Sequence, residues 1–167
     1  MYKTIEDFAA DWRHETAGTI RILETLTDES LAQQVTDEHR TLGRLAWHIA
    51  QSHHEMLSRT GLHFEGVGEE EPVPASAAAI AEAYKKSAQA TLEAIRSAWT
   101  DATLFEQDDM YGEMWPRGLT LDSLIKHEIH HRGQMTVLMR QAGLRVPGMY
   151  GPPKEQWAEF GVPAPVV

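Results

Sequence analysis

Histidine is the residue type that most directly suggests chemistry in this chain. The 167 residues include nine histidines and no cysteine, which excludes disulfides, thiolate ligands, iron–sulfur clusters and a cysteine nucleophile. His127 and His131 stand four residues apart in a segment of helical periodicity. About 40° separates them around a helix axis, so they can share one metal ion. His130 lies about 60° further toward solvent. The spacing favours His127 with His131 as ligands, and a solvated or core pair is the alternative.

A third ligand must come from another helix, and one segment offers His48, His53 and His54. On its helical wheel, His53 lies near the middle of the apolar arc and His48 lies at the edge. Periodicity alone slightly favours His53 as the inward residue, for which a core histidine is the default interpretation. An edge position like that of His48 also suits a residue facing a neighbouring helix across a cleft. The residues themselves leave the third ligand open.

The segments HEIHHRGQ and TLGRLAWHIAQSHHEM carry a resemblance to a known family. The first matches H-x-x-x-H-R-G-Q, the signature of the DinB family of metal-binding helical bundles, at His127, His131, Arg132, Gly133 and Gln134. The second is similar to an earlier helix of the family, in which the ligand histidine follows a Leu-Ala type pair. The resemblance therefore implies a metal site formed by His48, His127 and His131. It also implies a homodimer.

Such a site would bind one divalent transition metal. Three neutral imidazoles without a thiolate suit zinc or nickel, with iron or cobalt as alternatives, and they leave at least one coordination position open. An open position indicates catalysis on a small molecule. Related bundles are linked with hydrolases and with transferases that use a low-molecular-weight thiol, so the resemblance implies one of these reactions. The alternative is a non-catalytic dimerising or ligand-binding bundle with a structural or vestigial metal site.

Glu128 and Arg132 are charged residues inside the apolar arc of the last helix, four positions apart. A structural ion pair is the favoured interpretation, because removing either partner would leave a buried charge unpaired. The alternative makes Glu128 a catalytic general base or an acceptor for a ligand imidazole. Gln134 could donate to a metal-bound group or lie exposed. The roles of His53, His54 and His130 stay open.

Four predicted helices must position these side chains. Apolar residues at helical spacing, with capping residues at the ends, predict helices over about Thr4–Thr27, Thr41–Ser58, Ser76–Trp99 and Thr120–Gly143. Thr41 and Thr120 are the expected N-caps, and Gly143 is the expected left-handed end. We expect an all-α, antiparallel four-helix bundle that forms one domain over residues 1–167.

Long loops and an irregular tail complete the prediction. The aromatic-rich stretch between Thr100 and Gly118 has no regular pattern, so we expect almost no strand. After Gly143 the chain is rich in proline and glycine and should run extended over the bundle, with Trp157 and Phe160 as anchors.

Charge and hydropathy limit the classes of partner and the location that we expect for this protein. The formal net charge is −10 and the 15 Lys and Arg residues are scattered, which argues against nucleic-acid binding. The opening residues lack the apolar core of a signal peptide, which predicts a cytoplasmic protein. No stretch approaches the roughly 18 apolar residues of a membrane span.

Overall fold

The computed structural model describes residues 1–166, which form a mostly helical fold with four α-helices and one small β-hairpin. The helices are α1 (Ile5–Leu23), α2 (Leu42–Ser58), α3 (Ala77–Ala98) and α4 (Arg117–Gln141). Helices α1 and α2 each pack against both α3 and α4, so the four enclose a common core. Its largest fully buried side chains include Phe8, Trp12, Ile22, Leu42, Ile49, Leu57, Ile80, Tyr84 and Ile95.

The helix ends follow from local capping. The side chains of Thr4, Thr41 and Ser76 each accept a hydrogen bond from the backbone N–H three residues further on, which satisfies a donor that the helix leaves free. Thr41 is therefore the N-cap that the sequence predicts. Gly143 follows α4 with φ at 77°, the left-handed conformation expected at a helix end.

Helix α1 ends at Leu23, before the predicted end at Thr27. The reason is that Thr27 begins a new turn: its Oγ1 accepts a hydrogen bond from the backbone N–H of Ser30. A short 3₁₀ segment, Glu29–Ala32, follows.

The expectation of an all-α fold with almost no strand is met only in part, because the mostly helical chain also forms one small sheet. Strand β1 (Gln107–Met110) pairs antiparallel with β2 (Glu113–Pro116). The connecting residues Tyr111 and Gly112 have φ values of 62° and 89°, as the two central positions of a type I′ hairpin turn require. Tyr-Gly is a weaker signal for such a turn than Asn-Gly, and the short strands are rich in acidic residues, so the pattern was not recognised.

Helix α4 begins at Arg117, before the predicted cap Thr120, which is fully buried inside the helix. The hairpin explains the early start. The Arg117 guanidinium pairs with Asp108 of β1 at 2.8 Å and with Glu106 at 2.7 Å. These contacts join the first turn of α4 to the segment that precedes it.

The C-terminal tail docks through residues other than those expected. Phe160 is 64% exposed, so its prediction as an anchor was wrong, and Trp157 is only partly buried. Val146 is buried instead, and Met149 packs against the core. Both lie close in sequence to the end of α4, within reach of its partner helices, whereas the later 3₁₀ segment Lys154–Phe160 buries no residue.

Candidate metal centre

The three histidines that the sequence predicts as ligands lie together at the contact between α2 and α4. The Nε2 atom of His127 lies 3.2 Å from Nε2 of His48 and 3.1 Å from Nε2 of His131. One ring nitrogen of each residue lies within 4.8 Å of the other two. All three side chains are half-buried. Local helix geometry brings His127 and His131 together, and packing of α2 on α4 adds His48.

Gln134 determines which nitrogen of His131 faces the cluster. Its amide Oε1 lies 2.8 Å from Nδ1 of His131, and an amide oxygen only accepts hydrogen bonds. Nδ1 must therefore carry the proton, and the neutral ring directs the lone pair of Nε2 toward the other two histidines. The Gln134 Nε2 atom donates in turn toward His130, whose Nε2 lies 3.2 Å away.

Burial keeps the cluster in its neutral form. Burial is the largest cause that lowers the pKa of His48 to about 3 and that of His127 to about 4, and the charge of Arg40 and the neighbouring histidines contribute to both of these shifts. The pKa of His131 is also lowered, mainly by burial, although its hydrogen bond to the Gln134 oxygen acts in the opposite direction. Neutral imidazole is the form that binds metal ions.

The donor set fits a metal ion better than it fits hydrogen bonding alone. A single Nε2 proton on His127 cannot serve both neighbouring rings, whereas one ion can accept the lone pairs of all three Nε2 atoms. Around a tetrahedral ion with Zn–N bonds of about 2.0–2.1 Å, neighbouring nitrogens lie about 3.3 Å apart. The distances of 3.1 and 3.2 Å between the histidines are close to this value.

Two cavities flank the cluster. The larger, about 520 Å³, is lined by His131 and Gln134 together with several aliphatic side chains. The smaller, about 270 Å³, is lined by His48 and by polar residues that include Arg44. Arg40 lines both. Cavities that bind small molecules measure about 300–1,000 Å³, so the larger one has room for a ligand beside His131.

Glu128 faces the core. It is 1% exposed, and its Oε1 accepts hydrogen bonds from Thr19 at 2.6 Å and Tyr84 at 2.7 Å. Its Oε2 lies 3.5 Å from Nε2 of the fully buried His53. Burial raises the pKa of Glu128, but contacts with His53, Thr19 and Tyr84 outweigh this effect and lower it. These contacts suit a charged structural group.

The other candidate residues take separate positions. Arg132 pairs mainly with Glu15, at 2.5 Å, and lies 3.9 Å from Glu128. His53 is a core histidine, as the default interpretation held, with Nδ1 3.0 Å from the Ser87 hydroxyl. His54 is half-buried and lies beside a phenylalanine ring instead of the cluster.

Sequence reasoning missed the two arginines beside the site. Arg40 and Arg44 precede His48 by eight and four residues. Side chains four apart share a helix face, so the spacing of Arg44 from His48 on α2 was a signal that could have identified Arg44. Arg40 precedes the N-cap of α2, so helical spacing gave no signal for it. Sequence reasoning also missed Tyr84 and Thr19 as partners of Glu128, and their only signal was a hydroxyl on an otherwise apolar face.

The mostly helical fold and the histidine cluster define a class of helical proteins with a potential metal site between two helices. Residues 1–164 match the DinB family, and the chain belongs to this family. It is 48% identical over 165 residues to the uncharacterised protein YrdA of Bacillus subtilis (strain 168), covering 99% of each chain.

Solved structures agree with this assignment. A DinB-like protein from Bacillus cereus ATCC 10987 superimposes with a TM-score of 0.87 at 52% identity, covering 90% of this chain and all of that one. The DinB-like protein YjoA from Bacillus subtilis superimposes with a TM-score of 0.67 over 86% of this chain and 97% of that one. At 17% identity, the second match supports the fold alone.

Proposed function

We propose that this DinB-family protein is a metal-dependent enzyme that acts on a small molecule, with His48, His127 and His131 as ligands of one divalent ion. The observation that carries the proposal is the convergence of three imidazole nitrogens beside a cavity of about 520 Å³. Three protein ligands leave a position for substrate, as is typical of catalytic sites, whereas structural zinc sites usually have four protein ligands.

Zinc or nickel is the proposed ion, with iron or cobalt as alternatives, because the donors are nitrogens without sulfur. When bound, the ion would supply Lewis-acid chemistry to a substrate group next to His131. The protein's own residues would orient the donors: Gln134 holds the His131 ring through its Nδ1 proton. The aliphatic walls of the cavity would limit the access of water.

Two reactions suit this arrangement, hydrolysis and transfer to a low-molecular-weight thiol. The chain has no cysteine, so a thiol would have to come from a second small molecule. The contacts of Glu128 with Thr19, Tyr84 and His53 support its structural interpretation, and a catalytic role for it stays a prediction.

Metal analysis of untagged protein tests the proposal. We expect about one ion per chain in the native protein and loss of most of it in the variants His48→Ala, His127→Ala and His131→Ala. His14→Ala is a matched control, because His14 is exposed on α1, and it should keep the ion. A native protein that binds no divalent ion, or ligand variants that bind as well as the control, would contradict the proposal.

An activity screen of the metal-loaded protein would separate the two reactions. Hydrolysis should proceed without added thiol, whereas a transferase should consume thiol and electrophile in equal amounts. Both activities should disappear in His131→Ala. Metal binding without turnover of any substrate would favour the alternative, a non-catalytic bundle with a structural or vestigial site.

The remaining expectations concern partners and location. None of the helices within residues 1–166 is long and apolar enough to span a membrane. A homodimer, a single domain over residues 1–167, a cytoplasmic location and the absence of nucleic-acid binding stay predictions. Light scattering would test the homodimer, since a single chain has a mass of 18.8 kDa.

A further inference from the structure

Arg40 carries a positive charge that the described part of the chain leaves without a carboxylate partner. Within residues 1–166, seven of the ten arginines form an ion pair. The three that do not are Arg21, Arg40 and Arg44. Two of these three line the cavities beside the histidines. In a protein with a net charge of −10, carboxylates are abundant, so unpaired arginines at this place are a specific feature.

Arg40 and Arg44 differ in whether another side chain of the protein binds their guanidinium groups. The Nη1 of Arg44 donates to the Gln51 side chain at 2.6 Å, which holds that guanidinium against α2. Arg40 is exposed and precedes the N-cap of α2. It lines the larger cavity together with His131 and the smaller one together with His48. Its guanidinium is therefore the one available to a ligand in either cavity.

The larger cavity is mainly apolar. Val35, Leu45, Val137 and Leu138 contribute aliphatic surface to its wall. Val35 is 62% and Val137 is 53% exposed. Removing their apolar surface from water would be favourable in free energy. A ligand with an apolar body would cover both valines while it reaches His131 and Arg40.

The carboxylates near the cavities leave the charge balance favourable to an anion. Glu38 is the acidic residue that lines the larger cavity. Glu55 and Glu69 line the smaller one, and Glu55 is already bound to Arg59 and Tyr111. A divalent ion held by three neutral imidazoles keeps its full charge, so with Arg40 it outweighs the single carboxylate in the larger cavity.

We propose that the site takes small organic anions, with the anionic group on Arg40 and the apolar body against Val35 and Val137. This inference rests on the proposed function, because it names the class of substrate for the same site. A planar guanidinium binds carboxylate and phosphate groups with two hydrogen bonds, so the shared chemistry is an anionic group at one end of an aliphatic chain. The position of Arg40 between the two cavities makes it a residue that determines specificity.

Calorimetric titration with simple probes tests this inference on the full chain, both metal-loaded and chelator-treated. Hexanoate should bind at least about tenfold more tightly than 1-hexanol, and hexylamine should bind more weakly still. Hexyl phosphate distinguishes a phosphate preference from a carboxylate preference. From butyrate to octanoate, affinity should rise about fourfold for each CH₂ group that is buried.

Two variants separate the parts of the site. Arg40→Gln should weaken hexanoate binding about tenfold without changing the metal content, and Val137→Asn should reduce the dependence on chain length. Arg21→Gln is the matched control, because Arg21 also lacks a carboxylate partner within the described residues but lies on α1 and lines neither cavity. It should bind hexanoate as the native protein does.

The outcomes separate this inference from the proposed function. Equal binding of hexanoate and hexanol, or an unchanged affinity in Arg40→Gln, would overturn the anion site even if the metal is bound. Failure of the native protein to bind a divalent ion would overturn the proposed function. In that case, hexanoate binding that depends on Arg40 in the chelator-treated protein would still support the anion site.

Discussion

Gln134 connects a short sequence motif to the electronic state of a candidate ligand. It lies one turn after His131 on α4, accepts a hydrogen bond from the Nδ1–H of that ring and donates toward His130. A partner of this kind fixes the ring orientation and makes the metal-binding nitrogen more basic. Although exposed, Gln134 therefore has a specific contact that an average surface glutamine lacks.

We predict that Gln134→Ala weakens metal binding by about 10–100-fold, the usual effect of removing such a partner. Gln134→Glu keeps an acceptor oxygen and should restore most of the affinity. Competition with a chromophoric chelator would measure both. Gln89→Ala is a suitable control, because Gln89 is an exposed glutamine on α3 bonded to Glu93. The same affinity in Gln134→Ala and in the control would refute a positioning role.

At the scale of elements, α4 depends on a close approach at its first turn. The backbone N–H of Tyr2 donates to the carbonyl of Gly118 at 3.0 Å. A Cβ atom on Gly118 would lie 2.2 Å from the Tyr2 carbonyl oxygen, a backbone atom that cannot move without shifting the N-terminal segment. At Gly133, further along the same helix, a Cβ atom would have no atom within 4 Å other than those of its chain neighbours and of the nearby helix backbone.

These two glycines should respond oppositely to alanine. We predict that Gly118→Ala lowers the free energy of unfolding by about 1–3 kcal/mol, through overpacking. Gly133→Ala should raise it by about 0.5–1 kcal/mol, because alanine costs less backbone entropy in a helix. Urea denaturation would measure both, with an unchanged m-value as the check that only stability has changed. Shifts of the same sign would contradict this account of α4.

For the whole molecule, the candidate metal centre and the main core are separate. The largest fully buried side chains exclude the three histidines, which are half-buried at the contact of two helices. The core also contains its own polar network, in which Glu128 and Arg132 bind residues of α1 and α3. Neither the apolar core nor this polar network depends on an ion bound by His48, His127 and His131.

Removal of the ion should therefore leave the helices in place. We predict that a tight chelator leaves the far-UV circular dichroism nearly unchanged and abolishes activity. A ligand present at a hundred times its Kd raises the free energy of unfolding by about 2.7 kcal/mol. In a protein of this size, 1 kcal/mol of that free energy shifts Tm by about 2–4 °C. Tm should fall by about 5–11 °C. Complete unfolding by the chelator would instead indicate a structural ion.

The local features were predictable because they depend on residues close together in the sequence. The four-residue spacing places His127 beside His131 in any α-helix, and Thr41 and Gly143 act as caps through contacts within one turn. Glu128 and Arg132 were recognisable as buried charges from the apolar arc that contains them, although Arg132 pairs mainly with Glu15. Membership of the DinB family followed from the H-x-x-x-H-R-G-Q segment.

Most of the features that were missed depend on contacts between distant parts of the chain. Periodicity slightly favoured His53 over His48 as the inward residue, and His53 is indeed the fully buried one. Burial and convergence differ, however, because α2 packs on both α3 and α4: His53 contacts Ser87 of α3, whereas His48 meets His127 of α4. The docking of Val146 in place of Phe160 likewise arises from packing against the core. The hairpin, in contrast, is local, and it was missed because Tyr-Gly is a weak signal for its turn.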